Sequence, residues 1–266
     1  MNPTFTPLQQ EAIAEFTAFF RAWPGGRRAI TIGGSTGKGL ADARSDFDFR
    51  IFHEEDLPWP DRDPELWKPL WPLLESWKAR GVTVDGVWPR RIADLDAQLQ
   101  RWIDGHLDVE PKEWSIWGYH LPTDIFNQYI IEDDAGIIAR WRGWLTPFPP
   151  KLKAAILAKH GGSLRYWHSD YHYENKVARR DPVFLAGLSA RLVHDVMQVL
   201  FALNETYFPG DGANLSHAEK FTLRPTDLTP RVSAILYPAP GDDIFVRQHA
   251  ALRALIDDTL ALLPHP

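Results

Sequence analysis

Two aspartates two residues apart, Asp46 and Asp48, stand inside an apolar run, Asp46-Phe-Asp-Phe-Arg-Ile, and they constrain the chain more than any other feature. The run has the period of a β-strand, which puts Asp46, Asp48 and Arg50 on one face and Phe47, Phe49 and Ile51 on the other. Two carboxylates about 7 Å apart on one strand face repel each other unless something positive sits between them. A divalent cation answers that repulsion, and hard oxygen ligands suit Mg²⁺. Upstream, the apolar residues 29–32 end in Gly33-Gly34-Ser35. Glycine carries no Cβ, so backbone N–H groups there are free to approach a phosphate. Together the two parts describe a site for a metal-bound nucleoside triphosphate.

The order of these parts resembles the signature of the polymerase-β-type nucleotidyltransferase superfamily: an apolar residue, Gly-Ser, roughly ten residues, then Asp-x-Asp between apolar neighbours. Ile32, Gly34-Ser35, Lys38, Ser45-Asp46 and Asp48 stand at the matching places, and the sub-patterns are those of the minimal and antibiotic nucleotidyltransferases. The resemblance implies an α/β (α+β) nucleotidyltransferase domain with a small mixed sheet, expected over residues 1–148. It implies transfer of a nucleoside monophosphate, AMP from ATP, to a small-molecule hydroxyl or amine with two Mg²⁺ ions held by Asp46 and Asp48. The superfamily has a third carboxylate on a neighbouring strand. Here that falls on Asp85, which would complete the metal site. Gly34 and Ser35 would contact the β- and γ-phosphates, and Lys38 would offset the charge of the departing pyrophosphate. A P-loop fails on inspection, because Gly39 stands after Lys38 where the Walker pattern needs a metal-binding hydroxyl.

Charge narrows the partner. The formal net charge is −6, with 16 Lys+Arg against 23 Asp+Glu over residues 1–150 and 13 against 12 over residues 151–266. Nucleic-acid binders carry a basic face, since phosphate neutralisation supplies much of their affinity. The acidic balance points instead to a small acceptor, with a cationic one drawn to an acidic cleft. Zero cysteines exclude disulfides and thiolate metal sites. With no signal-peptide pattern at the start and no apolar run expected near membrane-spanning length, a soluble cytoplasmic protein is the expectation.

Along the chain, Thr6-Pro7 should cap a first helix, residues 28–32 form a strand, residues 64–80 one helix, and residues 92–106 another. Over residues 82–88 the alternation puts Thr83, Asp85 and Val87 on one face and Val82, Val84 and Trp88 on the other. Residues 114–150 show no clean period. Thr146-Pro-Phe-Pro-Pro marks a domain boundary, and residues 149–266 read as an all-α helical bundle with a Leu185, Leu188, Leu192, Val196, Val199 and Leu203 stripe. Leu200-Phe-Ala-Leu-Asn-Glu-Thr-Tyr-Phe-Pro-Gly-Asp211 is similar to a segment of bacterial proteins that join a nucleotidyltransferase domain to a helical domain of unassigned function. Those proteins carry Lys soon after the Pro-Gly, where Gly212 and Ala213 stand here. In the antibiotic enzymes the helical domain covers the cleft.

Other groupings invite weaker readings. His168 and His172 have the i,i+4 spacing of a zinc pair but no Glu between them. Tyr173, Lys176, Arg179 and Arg180 form a basic cluster, and Asp195 stands four residues after Arg191, as an ordinary helical ion pair does. Most of the twelve tryptophans read as packing. Two alternatives stay open: a toxin–antitoxin-type nucleotidyltransferase acting on tRNA or protein, and a non-catalytic domain that binds a nucleotide or a partner.

Overall fold

Thr6 accepts a hydrogen bond from the Gln9 N–H while the Gln9 side chain accepts one from the Thr6 N–H, a capping box that starts the first helix. A computed structural model describes residues 4–42, 45–60, 62–210, 212 and 214–264. Along the chain come α1 (Pro7–Arg21), β1 (Arg28–Ile32), α2 (Gly34–Gly37), β2 (Phe47–His53), α3 (Pro64–Trp67), α4 (Leu70–Ala79), β3 (Val84–Arg91) and α5 (Ile92–Ile103). Next are β4 (Glu110–Lys112), β5 (Ser115–Tyr119), α6 (Leu121–Phe126), β6 (Tyr129–Glu132) and α7 (Ile137–Trp144). The rest is helical among the described residues: α8 (Pro150–His168), α9 (Tyr171–Arg179), α10 (Pro182–Leu203), α11 (Asn214–Ala218), α12 (Leu228–Leu236) and α13 (Ile244–Ala261). The fold is mixed α/β, with a small mixed sheet and helices in the C-terminal half.

Two compact units divide the chain. The first takes the residues up to Arg101 together with Leu121–Pro147, and the second takes Trp102–His120 together with the residues from Phe148 onward. In the first, four strands run in the order β3-β2-β1-β6, with β2–β3 parallel and both other pairs antiparallel. Phe47, Phe49 and Ile51 of β2 bury one sheet face against Phe16 and Phe20 of α1, with Trp67, Leu70 and Trp77 in the same cluster. On the opposite face Phe52 packs edge-on against Trp141 of α7, whose indole N–H donates to Asp96 at 2.6 Å.

The single helix expected over residues 64–80 is two, because Pro69 has no N–H to continue the ladder and instead precedes α4. The aperiodic stretch supplies β6, whose four residues are too few to show a period. Asp133 accepts from the N–H groups of Ile137, Ile138 and Ala139 and so caps α7.

In the second unit α10 is the axis. Its length and composition would suffice to cross a membrane, contrary to expectation, but 61% of its apolar window is buried. All six residues of the predicted stripe lie in the core, among Leu252, Leu255 and Ile256 of α13 and Leu228, Val232 and Ile235 of α12. Several polar readings change. His168 ends α8 while His172 belongs to α9, so they share no helix face. Tyr173 is buried in the core, and Lys176 pairs with Asp181 at 3.1 Å. Asp195 is buried, and it accepts from Ser163 at 2.7 Å and bonds His160 Nδ1 at 2.6 Å rather than pairing with Arg191.

Beside that pair, His194 lies flat on Trp117, 4.2 Å between ring centres, and His120 packs against Trp102 and Phe208. Burial, with the like charge of His160 and Lys159, holds the pKa of His120 down to about 4. Burial holds His194 down to about 3, with His160, His120 and Lys159 acting in the same direction and Asp195 opposing them. Both rings are neutral in the fold, whereas the unfolded chain takes up their protons below the ordinary imidazole value of about 6.5. Their contribution is therefore fully present above about pH 6.5 and is lost as pH falls toward 4 and then 3. Calorimetric melting should show the midpoint dropping between pH 7 and pH 4, and His194→Phe should reduce that drop. An unchanged drop in the variant would contradict the assignment.

Candidate functional site

β1 delivers the chain to the site and β2 carries it away. After Ile32 the Gly33 N–H donates to the Asp48 carbonyl at 2.9 Å, which ties the turn to the strand beside it. Gly34 then takes φ +54° and opens α2, whose single turn is closed by Gly37 N–H to Gly33 O at 2.8 Å and Leu40 N–H to Ser35 O at 2.9 Å. The positive φ is one reason for glycine here. The other is space, since a Cβ on Gly34 would collide with Asp48 Oδ2. Gly34 and Asp48 are in direct apposition, Ser35 is half-buried in the same turn, and half-buried Lys38 ends it.

Asp46 stands just before β2 and Asp48 within it. Burial raises the Asp46 pKa, with Asp85 adding to the shift. Asp48 is raised to about 6, first by burial and then by the like charges of Asp46, Asp124 and Asp85, against the lowering effect of Arg50. Arg50 lies in the sheet with Nη1 3.9 Å from Asp48 Oδ1 and Nε 3.4 Å from Asp124 Oδ2. Asp124 comes from α6, which is anchored by Gln128 Nε2 to the Asp124 carbonyl at 2.8 Å and by Thr31 Oγ1 to Gln128 Oε1 at 2.6 Å. No sequence signal marks Asp124, because it sits in the aperiodic stretch and reaches the site only through tertiary structure.

The predicted face of Asp85 needs correction. Phe47 pairs with Val84 but Asp48 pairs with Gly86, so Asp85 is the extra residue of a bulge. The bulge resets the alternation, and Val84 and Val87 both pack on the apolar core while exposed Asp85 is set within the electrostatic field of Asp46 and Asp48. Trp88, paired with Arg50 across the strands, lies on the carboxylate side, with its ring centre 5.7 Å from the guanidinium.

Carboxylate oxygens are the donor type that a hard divalent cation takes, and the elevated pKa of Asp48 reflects burial first and then its acidic neighbours. Among the described residues no three His, Asp or Glu side chains converge as a complete cage.

Residues 123–211, a third of the chain running from α6 through α10, match the model of a family described as a domain of unknown function, DUF4037. No curated protein matches the chain. In the segment that resembled bacterial two-domain proteins, Asp211 and Ala213 lie outside the described residues.

The apposition of Gly34 and Asp48 has a measurable cost. Gly34→Ala should destabilise the first unit by about 1–3 kcal/mol in urea denaturation, from backbone strain and the collision with Asp48. Gly136→Ala, with φ +65° and nothing within 4 Å of a Cβ, should cost less, because only strain remains. Equal losses would remove the collision from the account.

Proposed function

We propose that the first unit is a Mg²⁺-dependent nucleotidyltransferase that moves a nucleoside monophosphate, AMP from ATP, to the hydroxyl or amine of a small molecule. The observation that carries this reading is the half-buried Asp48, pressed against the Gly34 turn with Asp46 and Asp85 in its field and its pKa raised to about 6. Such a carboxylate is costly without a cation, and the turn beside it offers backbone N–H groups to phosphate oxygens.

Asp46, Asp48 and Asp85 would hold two Mg²⁺ ions, which when bound supply charge neutralisation on the triphosphate and a lowered pKa for the attacking group. The Gly34-Ser35 turn binds the β- and γ-phosphates, and the Lys38 ammonium offsets charge on the departing pyrophosphate. A new bond forms from the acceptor oxygen or nitrogen to the α-phosphorus, and the α–β bridging P–O bond breaks with its electron pair leaving on pyrophosphate. The acceptor proton passes to Asp85, the most exposed of the three carboxylates, and from there to water. Arg50 lowers the proton affinity of Asp48 against the effect of burial and of its acidic neighbours.

The acidic balance of residues 1–150 supports a small acceptor over tRNA. Calorimetry with each NTP, with and without Mg²⁺, is the test. Mg²⁺-dependent binding of ATP is expected in the wild type, and Asp48→Asn should weaken it about tenfold or more. ATP binding that is indifferent to both Mg²⁺ and Asp48→Asn would overturn the reading.

A further inference from the structure

The carboxylate side of the sheet continues into tryptophan. Trp88 Nε1 and Asp48 Oδ1 lie 2.2 and 3.1 Å from the place a Gly86 Cβ would occupy, so the indole and the carboxylate crowd the same glycine. Trp59 meets Trp88 edge-on, 6.2 Å between ring centres at 79°. Although Trp59 is 41% exposed, it is held in place. It stacks at 10° on Trp67, which is buried and anchored by its N–H to the Pro58 carbonyl at 2.8 Å. A large aromatic side chain kept in water yet locked against a buried one has its ordering cost already met before any ligand binds.

The charge around these rings is mainly negative, with Arg50 over Trp88 and exposed Arg62 just after Trp59 as the opposing cations. Asp46, Asp48, Asp85 and Asp124 lie on one side, and Glu55 and Asp56 are exposed in the loop leading to Trp59. An indole face carries negative electrostatic potential and attracts cations, most strongly when carboxylates add to the field. A neutral ring would gain stacking but make no use of the carboxylates, and an anionic one would be repelled. Trp88 already faces one cation, since Arg50 lies over its ring.

We propose that Trp88 and Trp59 form the acceptor wall of this site and that it takes an organic cation, an alkylated ammonium carrying a hydroxyl. The inference rests on the nucleotidyltransfer reading for the hydroxyl's role, and on the indoles and carboxylates alone for recognition of the cation. Trp71 is the internal control: it is 49% exposed and stacks on Trp67, but it is not among the rings that meet Trp88.

Choline and its neutral isostere 3,3-dimethylbutan-1-ol separate charge from shape. In saturation-transfer NMR titrations of the full chain, choline should bind about fivefold or more tighter than the isostere. Trp59→Ala and Trp88→Leu, with folding checked by circular dichroism, should each weaken choline about fivefold, while Trp59→Phe retains part of the affinity and Trp71→Ala all of it. Equal binding of the two compounds, or choline affinity indifferent to both Trp59→Ala and Trp59→Phe, would overturn the proposal. Calorimetry with Mg²⁺–ATP keeps the two readings apart. Choline binding without nucleotide binding would refute nucleotidyl transfer and leave the cation wall standing. Loss of ATP binding in Trp59→Ala, with no binding of choline, would make the wall a nucleobase platform and refute the cation.

Discussion

A guanidinium buried between two carboxylates organises the first unit. Arg50 is 10% exposed, and Asp48 and Asp124 approach it from β2 and α6. Removing charges from water costs several kcal/mol each, and only close opposite charge returns part of that cost. The three groups are thus interdependent: α6 has to stand where Asp124 can reach Arg50, and Arg50 has to lie in the sheet to temper Asp48. With three acidic neighbours acting on Asp48 and one basic neighbour opposing them, the local balance stays negative.

Such a cluster is affordable because the other face of β2 is apolar from Phe47 to Ile51. Phe47, Phe49 and Ile51 are almost completely buried against aromatic side chains of α1, and burial on that scale contributes about 2 kcal/mol or more per side chain. Strand alternation separates the two tasks to opposite faces of the same seven residues. The far end of the polar face is closed by Phe52 on Trp141, which leaves the charged groups gathered at the Asp48 end.

What could be read from sequence was what is encoded locally. The Thr6 cap, the bounds of β1, the two-faced β2 and the α10 stripe each follow from a period or a capping pattern within a few residues. What could not be read depends on pairing across the chain. Whether Asp85 continues an alternation or interrupts it is decided by its register against β2, and nothing in residues 82–88 reports that register. Asp124 and the Asp195–His160 pair belong to the same class, being separated from their partners by 74 and 35 residues. An Arg four residues before Asp195 offered a local partner, but the burial of Asp195 in the core turned it to histidine and serine instead. At Pro69 the apolar spacing continued while the backbone could not.

The route of the backbone has a consequence for how this molecule can be divided. It leaves the first unit after Arg101, contributes Trp102–His120 to the second, and returns at Leu121. That excursion supplies Trp117 beneath His194, His120 against Phe208, and Asp104 to Lys151 at 2.9 Å. Severing the chain at its proline-rich link would therefore yield neither half intact. The leading fragment would carry a strip of foreign core, and the trailing one would lack a wall. The two units are interleaved in sequence, so each has to be inherited, expressed and folded with the other.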